Sequence, residues 1–375
     1  MVVTDSLLEE FVSFFSKGCK TPDRFKTGFE LEHFIVDANK KNINYSQPGG
    51  AAQLLRELAP RFPQRYAEDG HILGLSDGEM SLSLEPGAQL EVSIEPKAGI
   101  AEARAVYRRF RGLVDPLLQK HGHTLTQRGY LPASGIRDIE LIPKERYRRM
   151  DAYFHATGSM GTHMMRGTAA CHVSIDYESE ADFIEKYRCA WLLGPALAYI
   201  SANTPVFEGR PNRNKLLRAH IWRNVDNARC VVPGIFDDGF GFEAYANFVL
   251  RAPEILREPG DEERIALLLS FVFPEVRLRQ YIEMRAADSM PEAKAFAYMA
   301  LVKGLFADMP RLKGLLSGFE WSQDAILAAQ DAITQHGKKA EVYGRPLGRF
   351  VEELTELARH TLGRESTCLE GLRNE

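Results

Sequence analysis

The sequence contains few cysteines, and none of them forms a recognisable motif. The five thiols, Cys19, Cys171, Cys189, Cys230 and Cys368, are odd in number, far apart and never arranged as Cys-x-x-Cys. Small secreted domains need an even set of closely spaced cysteines, and zinc knuckles need paired ones. The pattern therefore excludes a disulfide framework and a thiolate zinc site, and it favours buried thiols in a reducing cytosol.

The sequence also lacks a long apolar run and an excess of one charge. No stretch approaches the ~18 apolar residues that a membrane helix requires, and Asp5, Glu9 and Glu10 stand where an export signal would be basic. We therefore expect a cytoplasmic protein that does not enter membranes. The 47 basic and 51 acidic residues are spread along the chain, for a net charge of -4, so no nucleic-acid partner is expected.

The order of the predicted elements favours an α+β fold. No repeat or linker divides the 375 residues, so a single domain over 1–375 is expected. Strands and helices do not alternate regularly, which argues for a mainly antiparallel sheet. Period-two patterns predict strands over 28–36, 80–84, 89–94, 170–176 and 277–285. Apolar residues at helical spacing predict helices over 5–18, 50–61, 100–121, 180–202, 242–256, 261–271, 291–306 and 347–362.

Acidic and metal-competent side chains recur at alternate positions of these strands. Glu30 and Glu32 share one strand face, since successive side chains point to opposite sides. Pro86 and Gly87 predict a turn or bulge between Glu85 and Glu91. Further polar positions of the same kind are His172, Glu283 and Arg285.

If these strands are neighbours, the carboxylates converge on one surface. Like charges a few ångströms apart cost roughly 1 kcal/mol or more per pair at an effective dielectric of about 20. Such a cluster must bind protons, arginine or a metal, and oxygen ligands with one imidazole suit Mg²⁺ or Mn²⁺. The alternatives are a solvent-facing polar sheet face, a Glu283–Arg285 ion pair and a structural role for His172.

Several longer segments resemble the glutamate-cysteine ligases, in particular the branch found in plants and many bacteria. The resemblance covers residues from about 27 to 288 discontinuously, and leaves 289–375 as a helical C-terminal part. The matching segments include GFELEHFIV from Gly28, SLEPGAQLEVS from Ser83, the paired methionines from Met164, HVSIDYESEADFIEKYR from His172, ANTPVFEGRPN from Ala202, RAHIWRNVDNAR from Arg218, GIFDDGFGFEAY from Gly234 and FPEVRLRQYIEMRAAD from Phe273.

This resemblance implies a fold similar to the catalytic domain of glutamine synthetase: a curved, mainly antiparallel sheet that forms a funnel, with helices packed outside. It also implies an ATP- and Mg²⁺-dependent ligase, with Mn²⁺ as a possible substitute. Such an enzyme phosphorylates the γ-carboxylate of glutamate, and the amine of cysteine then displaces the phosphate. Small molecules are thus the expected partners, and monomer and homodimer are both open.

Site residues follow from the same resemblance. Arg285 would touch the ATP phosphates, with Thr168 also in the nucleotide site, and Arg218 would hold the glutamate carboxylate. Around the amino-acid substrates the resemblance places Trp222, Asp226, Arg229 and Arg166, with a core or helix-cap role for Trp222 as the alternative. The metal ligands would be Glu30, Glu32, Glu85, Glu91, His172 and Glu283.

The sequence departs from the plant-like branch at three places. His172-Val173-Ser174 replaces Gln-Val-Asn, Arg166 falls one position early, and the stretch between Leu256 and Phe273 is shorter. A shortened wall could admit an amine other than cysteine. Three competing hypotheses remain. The protein could be a ligase that uses an amine other than cysteine, a relative of the guanidino kinases or of glutamine synthetase, or a catalytically inactive protein that binds nucleotide or metal.

Overall fold

A computed structural model describes residues 5–256 and 261–372. Most of these residues form helices and short strands. The helices are α1 (Asp5–Ser16), α2 (Ala51–Leu58), α3 (Ile100–Gln119), α4 (Glu145–Ala156), α5 (Gly161–Gly167), α6 (Glu180–Ser201), α7 (Leu217–Arg223), α8 (Asn227–Cys230), α9 (Phe242–Arg251), α10 (Asp261–Leu269), α11 (Glu292–Phe306), α12 (Met309–Leu316), α13 (Gln323–His336) and α14 (Leu347–Leu362).

The strands form one large sheet and two small hairpins. They are β1 (Thr27–Val36), β2 (Gln64–Glu68), β3 (His71–Ser76), β4 (Met80–Leu84), β5 (Leu90–Lys97), β6 (Thr124–Thr126), β7 (Ala170–Ile175), β8 (Val206–Phe207), β9 (Arg210–Pro211), β10 (Val276–Leu278), β11 (Ile282–Asp288), β12 (Glu341–Val342) and β13 (Arg345–Pro346). Strands β8 and β9 pair with each other, as do β12 and β13.

The large sheet is antiparallel at every pairing. Its order is β10-β11-β7-β1-β5-β4-β3-β2, and β6 pairs with the C-terminal end of β1. Strand β1 thus lies at the centre, between β5 and β7, although these strands are far apart along the chain. The predicted α+β class, with a mainly antiparallel sheet and helices packed outside, is confirmed.

The helices cover the apolar face of the sheet. Helix α11 contacts β1 and β7, α3 contacts β5, and α6 contacts β11. On β1 the apolar alternation supplies Phe29 and Leu31, which are both fully buried, and the Phe29 ring stacks on Phe296 of α11 with centroids 4.6 Å apart. Because alternate side chains point apart, this packing directs Glu30 and Glu32 to the opposite face.

The segment predicted as one strand over 277–285 is a hairpin instead. Strand β10 ends at Leu278, the Arg279 amide donates to the Tyr281 carbonyl at 2.8 Å, and β11 begins at Ile282. The period-two pattern continues through the short turn, so the turn could not be recognised from the sequence. The hairpin brings Arg277 directly opposite Glu283.

Sequence patterns also missed several elements, notably α4 and α5, which cover the polar side of the sheet, and the β2–β3 hairpin at its edge. Among the described residues, no helix is both long enough and apolar enough to cross a membrane. The five cysteines are free thiols: three are buried, and Cys19 and Cys368 are partly exposed.

Candidate active site

A cavity of about 310 Å³ opens on the polar face of the sheet. We call it the main cavity. Strands β1, β4, β5, β7, β10 and β11 supply its floor, and helices α4, α5 and α7 supply part of its wall. Its lining includes most of the predicted site residues, namely Glu30, Glu32, Glu85, Glu91, Thr168, His172, Arg218, Trp222, Glu283 and Arg285.

The register of the central strands explains why the acidic residues meet. Glu30 lies opposite His172 of β7, and Glu32 lies opposite Glu91 of β5. The Glu30 Oε2 atom and His172 Nδ1 are 2.9 Å apart. Three strands that are distant in sequence therefore place one imidazole and at least three carboxylates at the same point of the sheet.

Two groups of possible metal ligands share His172. Glu30, His172 and Glu283 form one group, and Glu32, Glu91 and His172 form the other. In each group the ligand atoms lie within 4.8 Å of one another. The geometry thus brings two sets of oxygen donors around one imidazole.

The His172 ring has the properties of a metal ligand. Its Nε2 atom is buried and has no hydrogen-bond partner among the described residues, which is costly for a polar atom unless something binds there. Burial and the nearby Arg285 lower the pKa of His172, which favours the neutral imidazole that binds cations. These features fit a metal, and the donor set is that of Mg²⁺ or Mn²⁺ rather than zinc.

Two of the carboxylates have raised pKa values, as expected for acidic groups that are held close together in a cation site. Burial and the Glu85 carboxylate raise the pKa of Glu32 to about 8. Burial and the carboxylates of Glu30 and Glu85 raise the pKa of Glu91 well above its usual range. Without a cation, repulsion and desolvation thus favour protonation, and a divalent ion would reverse that preference.

Glu283 is set apart from the other carboxylates by its arginine partners. It accepts hydrogen bonds from Arg277 Nε at 2.6 Å and from Arg285 Nη1 at 3.1 Å. Burial alone would raise its pKa, but these guanidinium groups and Arg279 hold the pKa of Glu283 well below its usual range. Glu283 is therefore charged in the protein. It lies close to Glu30 and His172 and is also hydrogen-bonded to Arg277 and Arg285.

Arg218 presents buried donors to the main cavity. It lies on α7, where its Nε and Nη1 atoms find no hydrogen-bond partner within the described part of the chain, and its Nη2 donates to the Arg285 carbonyl at 3.3 Å. The Asp288 carboxylate lies 3.6 Å from Nε and is itself held by the Asn203 amide. A buried guanidinium with free donors is suited to binding a carboxylate.

Trp222 and Thr168 line the cavity through different elements. Trp222 lies one helical turn after Arg218 on α7, and its ring packs against Phe273 with centroids 5.7 Å apart. Thr168 follows α5, and its hydroxyl donates to the Met164 carbonyl at 2.8 Å. Trp222 therefore contributes both to packing and to the cavity surface.

Arg166, Asp226 and Arg229 are not brought to the main cavity, and each has other partners. Arg166 pairs with the Asp151 carboxylate at 2.8 Å. Asp226 caps α8 and accepts from the Tyr153 hydroxyl at 2.7 Å. Arg229 is fully buried and donates to the Phe271 carbonyl at 2.8 Å. These contacts stabilise the wall behind the site.

Sequence reasoning missed a group of basic residues that lines the same cavity as the carboxylates. Lys144 and Arg146 come from the start of α4, and Arg277 and Arg279 come from the β10–β11 hairpin. Two signals were available: Arg277 and Arg279 have the same i, i+2 spacing as the acidic pairs, and Tyr147, Met150 and Phe154 have helical spacing. The main cavity is thus lined by both carboxylates and basic side chains.

Comparison with known proteins identifies the family. The profile of glutamate-cysteine ligase family 2 (GCS2) matches residues 26–351. The chain is 31% identical to the chloroplastic glutamate–cysteine ligase of Nicotiana tabacum, over 98% of this chain and 76% of that protein. It is also 31% identical to the chloroplastic enzyme of Arabidopsis thaliana, over 97% and 75% respectively.

Solved structures show the same fold at low sequence identity. The glutamate–cysteine ligase of Francisella tularensis, crystallised with AMP, has a TM-score of 0.60 and 12% identity, covering 93% of this chain and 80% of that chain. A bifunctional glutathione synthetase from Pasteurella multocida has a TM-score of 0.51 and 12% identity, covering 97% and 48%. From the matched profile and these nearly full-length relatives, the chain belongs to glutamate-cysteine ligase family 2 and is a ligase.

Proposed function

We propose that this enzyme forms γ-glutamylcysteine from glutamate, cysteine and ATP through a γ-glutamyl phosphate. One observation carries the proposal: carboxylates from separate strands and several basic side chains line one cavity. A nucleotide triphosphate with its divalent cations has the complementary charges. The relatives named glutamate–cysteine ligase support the choice of substrates.

The carboxylates and the imidazole of the main cavity would hold Mg²⁺, with Mn²⁺ as a substitute. The proposed ligands are Glu30, Glu32, Glu85, Glu91, His172 and Glu283. When bound, such ions neutralise phosphate oxygens and stabilise charge that develops during phosphoryl transfer. The pairing of Glu283 with arginine keeps it ionised and ready to bind, although it must share its oxygens.

The basic side chains of the main cavity would bind the ATP phosphates. Arg285 is the proposed phosphate contact, and Lys144, Arg146 and Arg279 line the same cavity. Thr168 is assigned to the nucleotide site with Arg285. Positively charged donors that are fixed before reaction lower the barrier by positioning the phosphates and stabilising their charge.

Arg218 would bind the carboxylate of glutamate that reacts. A γ-carboxylate oxygen attacks the γ-phosphorus of ATP, ADP leaves, and the product is an acyl phosphate. The guanidinium plane can bind the carboxylate before transfer and the acyl phosphate after it. The buried free donors of Arg218 support this role.

The second step requires an amine near the acyl carbon. The amine nitrogen forms the new C–N bond and loses a proton, and phosphate leaves with the electrons of the C–O bond. Trp222, one turn from Arg218, is the proposed wall beside the acceptor. The protein contacts of Arg166, Asp226 and Arg229 suit structural roles, so the proposal does not use them for substrate binding.

The direct experiment follows ADP and phosphate with purified protein, Mg²⁺, ATP and glutamate, adding one amine at a time. Cysteine-dependent release of both products is expected. Glu91→Gln should abolish it, whereas Glu352→Gln, the same change at an exposed position of α14, should not. Tight ATP binding without release for any amine would instead favour an inactive nucleotide-binding protein.

A further inference from the structure

A second cavity, of about 170 Å³, adjoins the main cavity. We call it the rear cavity. Trp222 and Phe273 line both cavities, so these two rings form the partition between them. The other residues that line the rear cavity come from α6, α7 and α13, from the end of α8 and from the segment before β10.

The rear cavity is mainly apolar and reaches the surface. Its wall includes Trp191, Ile326, Val231 and Leu327. Val231 and Leu327 are 45% and 39% exposed, and among the described residues they are two of only three large hydrophobic side chains with such exposure. Two of these three thus flank one opening, which is unusual for scattered surface residues and typical of a binding site.

The rear cavity also contains a polar pair of which one member is buried. Gln330 Nε2 donates to both carboxylate oxygens of Glu275, at 3.0 and 3.1 Å. The Gln330 side chain is buried, and its Oε1 atom has no hydrogen-bond partner among the described residues. An apolar cavity with one uncompensated acceptor has the composition of a site for an organic group rather than for water alone.

We propose that the rear cavity receives the apolar substituent of an amine acceptor whose amino group reacts in the main cavity. The enzyme would then accept amines larger than cysteine. This inference rests on the proposed function, because it requires an acceptor beside Trp222. A volume of about 170 Å³ holds roughly five or six water-sized groups, which is more than the side chain of cysteine fills.

The two rings of the partition differ in burial, and this difference indicates where an acceptor would pass between the cavities. Trp222 is only partly buried, whereas Phe273 is buried, so Trp222 is the ring that can turn aside. An acceptor with a flexible chain would place its amine beside Arg218 and extend past Trp222 towards Ile326. Trp222 and the rear-cavity wall would therefore determine acceptor specificity.

The test compares n-hexylamine with ethylamine as acceptors, measured as amine-dependent ADP release with saturating ATP, Mg²⁺ and glutamate. The wild type should prefer n-hexylamine by about tenfold or more in kcat/KM, since each buried methylene adds to binding. Leu327→Glu places a charge at the opening and should remove most of that preference. Ala328→Glu adds the same charge to an exposed, neighbouring position of α13 outside the rear cavity and should retain it.

The outcomes separate this inference from the proposed function. Release with cysteine but equal kcat/KM for the two alkylamines would overturn the inference and leave the proposed function standing. Equal loss of preference in both variants would also overturn it, because the effect would then not depend on the rear cavity. Absence of release with cysteine and with every other amine would overturn both.

Discussion

Arg277 and Glu283 face each other across the β10–β11 hairpin as a buried, two-point ion pair. The Arg277 Nε and Nη2 atoms donate to the two carboxylate oxygens of Glu283 at 2.6 and 3.1 Å. Burial of both groups is tolerated because each satisfies the other. The pair fixes the hairpin at the floor of the main cavity and keeps Glu283 charged there.

Removal of Arg277 should therefore be costly for stability. Arg277→Ala removes the two-point partner of the buried Glu283 and leaves it the single hydrogen bond from Arg285 and the weaker influence of Arg279, and we expect a loss of about 3 kcal/mol or more in the free energy of unfolding. Arg311→Ala is the control, since its pair with Asp308 is largely exposed and should be worth less than about 1 kcal/mol. Chemical denaturation measures both, and equal losses would contradict the importance of the hairpin pair.

Arg229 should prove to be structural rather than a substrate ligand. Its guanidinium lies 4.7 Å from the centre of the Tyr153 ring and donates to the Phe271 carbonyl, away from the main cavity. Arg229→Met should lower the free energy of unfolding by roughly 2–4 kcal/mol because buried carbonyls lose their donor. At equal folded fraction, the KM for each substrate should change by less than about twofold. A tenfold rise in one KM with intact stability would return Arg229 to the substrate site.

Glu32 should make the stability of the metal-free protein fall as pH rises. A carboxyl group with a pKa near 8 in the folded protein and 4.5 when unfolded binds more protons when folded. Its contribution to the free energy of unfolding is complete below pH 4.5 and is lost as the pH rises towards 8. Glu32→Gln should reduce the fall in the free energy of unfolding between pH 5 and pH 8 by on the order of 2–4 kcal/mol. Denaturation series with a chelator measure this, and an unchanged slope would show that Glu32 ionises normally.

Arg218 should control glutamate binding more than nucleotide binding. Arg218→Lys keeps the charge but loses the planar pair of donors, and we expect the KM for glutamate to rise about 10- to 100-fold. The KM for ATP should change much less. Arg213→Lys, the same substitution at an exposed position, is the control. Steady-state kinetics decide the point, and a rise confined to ATP would assign Arg218 to the phosphates instead.

The acidic residues of the site were predictable because their common orientation depends on local periodicity. Alternation in β1 is enough to place Glu30 and Glu32 on one face, and Pro86-Gly87 correctly predicted a turn, where Ala88 adopts a φ of +64°. The pairing of β1 with both β5 and β7 was not predictable in this way. It depends on contacts between segments that are distant in sequence, such as Phe29 on Phe296.

The residues proposed to contact the amino-acid substrates were harder to predict, because a sequence motif gives their separation along the chain but not their direction in the fold. Arg218 and Trp222 lie four residues apart on α7 and share a helix face that lines the main cavity. The helix ends at Arg223, and a new one begins after the Asp226 cap. This break directs Asp226 and Arg229 away from the cavity, although all four residues belong to one segment of matching sequence.

Binding of a divalent cation at His172 tests the central claim most directly. Mn²⁺ can be titrated into the metal-free protein and followed by pulsed electron paramagnetic resonance, which detects nitrogen that is coordinated to the metal. We predict saturable binding with one imidazole coupling that disappears in His172→Ala, whereas His336→Ala, a change at the exposed C-terminal end of α13, retains it. Absence of binding, or a nitrogen coupling that persists without His172, would contradict the claim that these strands build a metal site.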